Sequence, residues 1–153
     1  MNNPHFRMPK IWVVAADSAR ARIFAVDRPK GPLEEVEAHV NPEARIHESE
    51  LTSDRPGRSH QRKGDARSAM DEPTPPKVHE TRVFADQLAK RLDEARRNSE
   101  IERLYLIAAP AFLGELRKQL NDATEKLVAE ALAKDVSHLD AKALRTHLPE
   151  RIK

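Results

Sequence analysis

Cysteine is missing from this 153-residue chain, and both glycine and aromatic residues are scarce. Without a thiol the chain forms no disulfide, no cysteine nucleophile and no cysteine-based zinc site. Its four glycines do not build the glycine-rich loop that cradles a phosphate group. No apolar run reaches the roughly 18 residues of a membrane span, and residues 1–10 lack the apolar stretch of a signal peptide. The sequence therefore predicts a cytoplasmic protein with no membrane partner.

Hydrophobic residues make up 39% of the chain and are concentrated in a few segments, the first of which predicts a β-hairpin. Residues 11–16 are all apolar, as in a strand that is covered on both faces. Asp17 and Ser18 have the short polar side chains that favour turns. Residues 20–26 then alternate, with Arg22 and Phe24 on one face. We expect this hairpin to lie at the centre of a sheet.

The next strand and the first long helix follow from the spacing of apolar residues. Residues 33–40 alternate, with three apolar residues on one side and Glu35, Glu37 and His39 on the other. This pattern predicts a third strand with one solvated face, close to the sheet edge. Residues 78–98 have apolar residues three and four positions apart, which predicts a helix.

The C-terminal half adds alternating strands and helices. Residues 104–109 predict a second buried strand, and Pro110 suits the first turn of a helix. Residues 127–133 are compatible with a strand or a helix, and Ser137 or Asp140 would cap a last helix that runs through residue 148. The whole pattern predicts a single α/β domain over residues 1–153. Its mixed β-sheet combines an antiparallel opening hairpin with parallel strands, and helices flank the sheet.

The apolar signal nearly vanishes between residues 41 and 77, and residues 52–76 predict a long mobile loop. Within it, the basic segment (residues 55–67) has five cationic residues against one acid, Asp65. The cationic residues are Arg55, Arg58, Arg62, Lys63 and Arg67. Such a segment can neutralise phosphates, although it has no aromatic side chain on which a base would stack. A merely solvated loop is the alternative interpretation.

Three stretches of the chain together resemble the bacterial host-attachment protein family. They are residues 12–24 (WVVAADSARARIF), 53–59 (SDRPGRS) and 109–117 (APAFLGELR). The family is named for proteins required for attachment to host cells, and it is similar in turn to the middle domain of archaeal and eukaryotic peptide-chain release factors. The resemblance implies a ribonuclease-H-like sheet, the ribosome or tRNA as a partner, and a link to attachment, which the lack of an export signal would make indirect.

In the release factors, a Gly-Gly-Gln loop places a water against the ester of peptidyl-tRNA. This chain lacks that tripeptide: Gln61 follows His60, and the nearest glycines are Gly57 and Gly64. His60 as a general base and Gln61 as the group that orients water are the candidates left. The missing tripeptide argues against enzyme activity, and a weak hydrolytic activity stays open as the alternative; we expect no cofactor.

The leading hypothesis is contact with RNA or the ribosome through the basic segment. One alternative is a peptidyl-tRNA esterase that acts in ribosome rescue. The other is a protein-interaction module in which the loop folds on a protein partner.

Other polar residues allow a structural and a functional interpretation. Asp17 fits a turn better than a nuclease carboxylate, since two-metal chemistry needs several convergent carboxylates. The seven histidines have no ligand-like spacing, and we expect no metal site.

Arg20 and Arg22 would form an anion site or pair with the glutamates of residues 34–37. The polar face of helix 78–98 would be solvated or would extend the basic surface of the loop. Its cationic residues are Arg82, Lys90, Arg91, Arg96 and Arg97.

Overall fold

The computed structural model describes residues 8–43 and 76–153. In these two ranges the strands are β1 (Ile11–Ala16), β2 (Arg20–Val26), β3 (Glu34–Val40), β4 (Arg103–Ala108) and β5 (Val128–Ala133). The helices are α1 (Pro76–Arg97), α2 (Pro110–Gln119), α3 (Asp122–Glu125) and α4 (Ala141–Arg145). The predicted single domain includes residues outside these ranges, and the predicted loop 52–76 lies outside them except for Pro76. Both stay predictions.

The strands form one open sheet in the order β3-β2-β1-β4-β5. Strands β1, β2 and β3 are antiparallel neighbours, whereas β4 lies parallel to β1 and β5 parallel to β4. This confirms a mixed sheet that opens on a hairpin. The more specific likeness to ribonuclease H and the release factors stays a prediction.

Strand β1 lies at the middle of the sheet because its side chains supply both faces with apolar surface. Trp12 and Val14 belong to a core packed against α1 and α2. Ile11 and Val13 belong to a second core on the other face, which α4 and the C-terminal Ile152 cover. Every residue of β1 is buried, which confirms the prediction of a strand covered on both faces.

Helix α1 packs on the first face as its spacing predicted. Its buried apolar residues are Phe84, Ala85, Leu88, Ala89, Leu92 and Ala95. The helix is followed by Ser99, which has a left-handed backbone (φ 59°). The Glu100 N–H then donates to the Ala95 carbonyl (2.8 Å) and the Ser99 N–H to the Arg96 carbonyl (3.1 Å). This closing turn returns the chain towards the helix and fixes the position of Glu100.

The ambiguous C-terminal segments are decided by packing and capping. Residues 128–133 form strand β5, because they pair with β4 and place Ala131 and Leu132 against opposite cores. Asp140 caps α4 by accepting from the Ala143 N–H (2.8 Å). The expected continuation of this helix through residue 148 is wrong: α4 ends at Arg145, and the chain turns so that Leu148 enters the second core.

Strand β3 differs from its predicted pattern in two respects. A bulge interrupts the alternation, since Ile23 pairs with Glu37 whereas Phe24 pairs with Glu35, leaving Val36 as the extra residue. The apolar residues are also largely exposed: Val36 and Val40 are each 49% exposed. Glu37 instead turns towards α1, because its partner Ile23 faces the first core.

Candidate functional site

The basic segment lies outside the described residues. The proposed RNA contacts of Arg55, Arg58, Arg62, Lys63 and Arg67, and the proposed chemistry of His60 and Gln61, therefore stay predictions. The structure does describe the two elements on either side of this segment in the chain. They are β3, which precedes it, and α1, which follows it. We accordingly describe the end of β3, the neighbouring turn and the facing side of α1 as the candidate site.

Asn41 anchors the chain where it leaves β3. Its side chain is nearly buried (5% exposed). Its backbone N–H donates to the Ala19 carbonyl (2.9 Å), and its side-chain amide donates to the Ser18 carbonyl (3.0 Å). Its side-chain oxygen accepts from the Glu43 N–H (3.1 Å). The sequence analysis missed this residue, although Asn followed by Pro is a recognised turn signal.

The turn between β1 and β2 is held by Asp17. One carboxylate oxygen accepts from the N–H groups of Ala19 (2.7 Å) and Arg20 (3.0 Å). The other accepts from the hydroxyl of Ser137 (2.6 Å), a side chain that is 1% exposed. The prediction of a turn residue is confirmed, and Ser137 ties the turn to the chain after β5 rather than capping a helix. Within residues 8–43 and 76–153, no group of three potential metal ligands is present.

Arg22 spans the second face of the sheet beside this turn. Its guanidinium pairs with Glu35 (3.0 Å) and donates to the carbonyls of Ser137 (2.9 Å) and Leu139 (2.5 Å). It also lies 5.1 Å from the centre of the Phe24 ring. The interpretation that Arg22 pairs with the glutamate strand is confirmed, so this arginine is occupied by structural contacts.

Arg20 differs from Arg22, because its side chain has no ion pair within the described part of the chain. It lines a groove of about 370 Å³ on the second face of the sheet. The lining of the groove also includes Ala38 and Val40 from β3 and the paired side chains of Arg22 and Glu35. The groove therefore combines exposed apolar side chains with one ion pair and with Arg20.

A second groove, of about 280 Å³, lies on the opposite face between β3 and α1. Arg91 of α1 lines this groove. Its guanidinium donates to both oxygens of Glu37 (3.1 Å for Nε to Oε1) and to Glu100 (3.1 Å). The same guanidinium lies 5.3 Å from the Trp12 ring centre. His39 adds a contact to the Glu37 carboxylate (3.0 Å).

The charges of this cluster stabilise one another. Burial alone would raise the pKa of Glu37, but hydrogen bonds from Arg91 and His39 hold that pKa below its ordinary value. The hydrogen bond to Glu37 raises the pKa of Arg91 against the opposing effect of burial. Arg91 therefore joins the outer strand, α1 and the closing turn after α1 through one guanidinium.

Four other cationic residues in the described part of α1 also have acidic partners. Arg96 (2.8 Å) and Arg97 (3.1 Å) both pair with Asp93. Hydrogen bonds from Asn121 and Arg96 hold the pKa of Asp93 well below its usual range. Lys90 pairs with Asp86 (3.0 Å), and Arg82 lies 3.9 Å from Glu115. The charges on this face of the helix are thus compensated within ion pairs. The face would add little net positive charge to the basic surface predicted for the loop.

The fold and these contacts define an α/β protein with a mixed, helix-flanked sheet. The family model for proteins required for attachment to host cells matches residues 12–148, so the chain belongs to that family. This confirms the family resemblance, while the release-factor similarity stays a prediction. No curated protein sequence matched the chain.

Among solved structures, the chain is similar to a Ppx/GppA phosphatase of Aquifex aeolicus, with 12% identity and a TM-score of 0.38. The match covers 82% of this chain but 36% of the phosphatase chain. So low a TM-score gives no basis for assigning that protein's fold or activity here. No described helix is both long and apolar enough to cross a membrane.

Proposed function

We propose that this protein supports attachment of a bacterium to host cells, and that it does so by binding RNA through the basic segment. Membership of the host-attachment family, over residues 12–148, is the observation that supports a role in attachment. In this proposal the role is indirect: the protein acts in the cytoplasm on RNA, the ribosome included, rather than as an adhesin.

The distribution of charge supports the basic segment as the part that contacts RNA. The cationic residues that the structure describes on α1, from Arg82 to Arg97, lie beside carboxylates that compensate them, as Arg91 does with Glu37 and Arg97 with Asp93. The basic segment has five cationic residues and one acid in its sequence. A polyanion gains affinity from cations whose charge is not already compensated, because each neutralised phosphate releases counterions.

The first experiment measures RNA binding as a function of salt. In the loop variant, Arg55, Arg58, Arg62 and Lys63 are all replaced by Ala. In the control variant, four exposed cations of the described part are replaced by Ala: Lys30, Lys118, Lys142 and Arg151. Both variants lose the same net charge. The proposal predicts a slope of log affinity against log salt that is shallower by about 3 for the loop variant, at roughly 0.7 for each lost phosphate contact.

Equal weakening of RNA binding in both variants would mean that only net charge matters, and the RNA part of the proposal would be wrong.

The second experiment measures adherence to host cells by a strain that lacks the gene. Wild type and the control variant should restore adherence, and the loop variant should not. If the loop variant loses RNA binding yet restores adherence, attachment stands and the RNA route is wrong.

A further inference from the structure

The outer edge of β3 is open within residues 8–43 and 76–153, because no described strand pairs with it. The sheet has a second outer strand, β5, but its larger apolar side chains pack on the protein's own cores: Val128, with Ala131, on one core and Leu132 on the other. On β3, Val36 and Val40 are instead half exposed. An open edge flanked by exposed valines is a site where another strand can add.

The backbone directions along β3 show which groups are available for pairing. The Asn41 N–H points to β2, since it donates to the Ala19 carbonyl. Backbone groups alternate along a strand, so those of His39 and Glu37 also point to β2. The N–H and C=O groups of Ala38 and Val40 therefore point outward. In an antiparallel pair around a two-fold axis, Ala38 of one copy would exchange both bonds with Ala38 of the other.

We propose that β3 pairs antiparallel with β3 of a second copy of this chain, with Ala38 on the two-fold axis. This would join two sheets into one, and it does not depend on what the basic segment binds. The occupant follows from complementary side chains on the strand. In this register each Glu37 carboxylate lies opposite the His39 imidazole of the second copy, in two equivalent pairs.

Other registers with the same backbone directions are less favourable. Centring the axis on Glu37 would place two carboxylates directly opposite each other, which destabilises a strand pair. Centring it on His39 would place two imidazoles opposite each other. The glutamates at the start of β3 do not oppose the Ala38 register, since Glu34 and Glu35 precede the bulge and would face residues among 40–42, none of which is acidic.

Arg91 makes the Ala38 register consistent with the fold of one copy. It holds the Glu37 carboxylate on the α1 face, where the neighbouring His39 also lies. Each carboxylate would then lie between Arg91 of its own chain and His39 of the second copy. The small Ala38 side chain lets the two backbones approach without a clash on the opposite face.

The first test uses the absence of cysteine from the chain, which makes a single introduced thiol unambiguous. Ala38→Cys marks the proposed axis, and Ala133→Cys is the matched control on the exposed end of β5, the other outer strand. A short bifunctional maleimide should convert Ala38→Cys to a covalent dimer and leave Ala133→Cys mostly monomeric. Equal cross-linking of the two variants would overturn the proposal.

The second test measures the monomer–dimer equilibrium of the full chain by sedimentation. His39→Glu places an acid against Glu37 of the second copy, whereas His39→Lys places a cation there. The dissociation constant should rise at least about tenfold for His39→Glu relative to His39→Lys, because two symmetric pairs change together. Thermal unfolding of both variants is the control that checks whether they fold. A wild type that stays monomeric at every concentration, or equal constants for the two variants, would overturn the proposal and leave the edge to a different protein.

Discussion

Strands β1 and β3 belong to the same sheet, yet they are held in different ways. All six residues of β1 are buried between two apolar cores. Strand β3 is mostly exposed and is held to α1 by the ion pair between Glu37 and Arg91. Burial of apolar surface is nondirectional, whereas an ion pair selects one face of a strand and one register. The centre is thus specified by composition and the edge by particular polar contacts.

Removing apolar volume from the centre should have the largest effect. Leu106 on β4, the neighbour of β1, is 1% exposed and belongs to the core under α1 and α2. Leu106→Ala should lower the free energy of unfolding by about 2–5 kcal/mol, because it leaves a cavity as well as losing apolar burial. Urea denaturation measures this loss. A loss no larger than that of an edge substitution would contradict the contrast between centre and edge.

Breaking the ion pair that holds the edge should cost less. Arg91→Ala should lower stability at neutral pH by about 1–3 kcal/mol, since it leaves Glu37 half-buried without its main partner. Arg97→Ala, which removes an exposed pair on the same helix, is the matched control and should change little. Urea denaturation of the two variants at pH 7 measures both effects, and equal losses would mean that Arg91 has no special role.

The same variant should also change the dependence of stability on pH. The folded-state pKa of Glu37 lies below its ordinary value of 4.5. The stabilisation is therefore present at neutral pH and is lost as pH falls from about 4.5 through the lowered folded value. The difference in unfolding free energy between wild type and Arg91→Ala should narrow over that range. A constant difference between pH 7 and pH 3 would show that Glu37 is not the group involved.

Loosening the turn next to the edge should have a smaller effect still. Ser137→Ala removes the hydroxyl that donates to Asp17 and should cost about 1–2 kcal/mol, because a carboxylate oxygen loses its partner. Ser18→Ala in the same turn is the control. A double-mutant cycle with Asp17→Ala measures the coupling between the two side chains. A coupling free energy near zero would contradict the tie between the turn and the chain after β5.

Trimming the exposed apolar side of the edge should have the smallest effect on unfolding. Val36→Ala should change the unfolding free energy of the monomer by no more than about 0.5 kcal/mol, since this side chain is half exposed and lies in neither core. Urea denaturation at low protein concentration measures it. A loss comparable to that of Leu106→Ala would mean that the valine side of β3 is covered.

Local sequence was sufficient where neighbouring residues decide the structure. The hairpin of β1 and β2, the apolar face of α1 and the start of α2 at Pro110 were all predicted correctly. Each depends on a spacing or a turn residue within a few positions. The family resemblance was likewise readable from short motifs and is confirmed over residues 12–148.

Prediction was wrong or undecided where distant residues compete. Residues 128–133 could not be assigned until β4 supplied a pairing edge. Ser137 was considered as a helix cap, but Asp17, 120 positions earlier in the chain, takes its hydroxyl. Asn41 was missed because its partners lie in a turn more than 20 residues away. In each case the polar or backbone group had several local options, and a remote contact selected one.

By itself, the sequence determined the number of buried strands, the amphipathic helix and the family, because apolar spacing and turn chemistry act over a few residues. Only the tertiary structure decided which side of β3 is exposed. Alternation specifies a period of two but not a direction. The direction was selected by Ile23 opposite Glu37 and by Arg91 on the facing helix, which hold Glu37 against α1 and leave Ala38 and Val40 on the more exposed face.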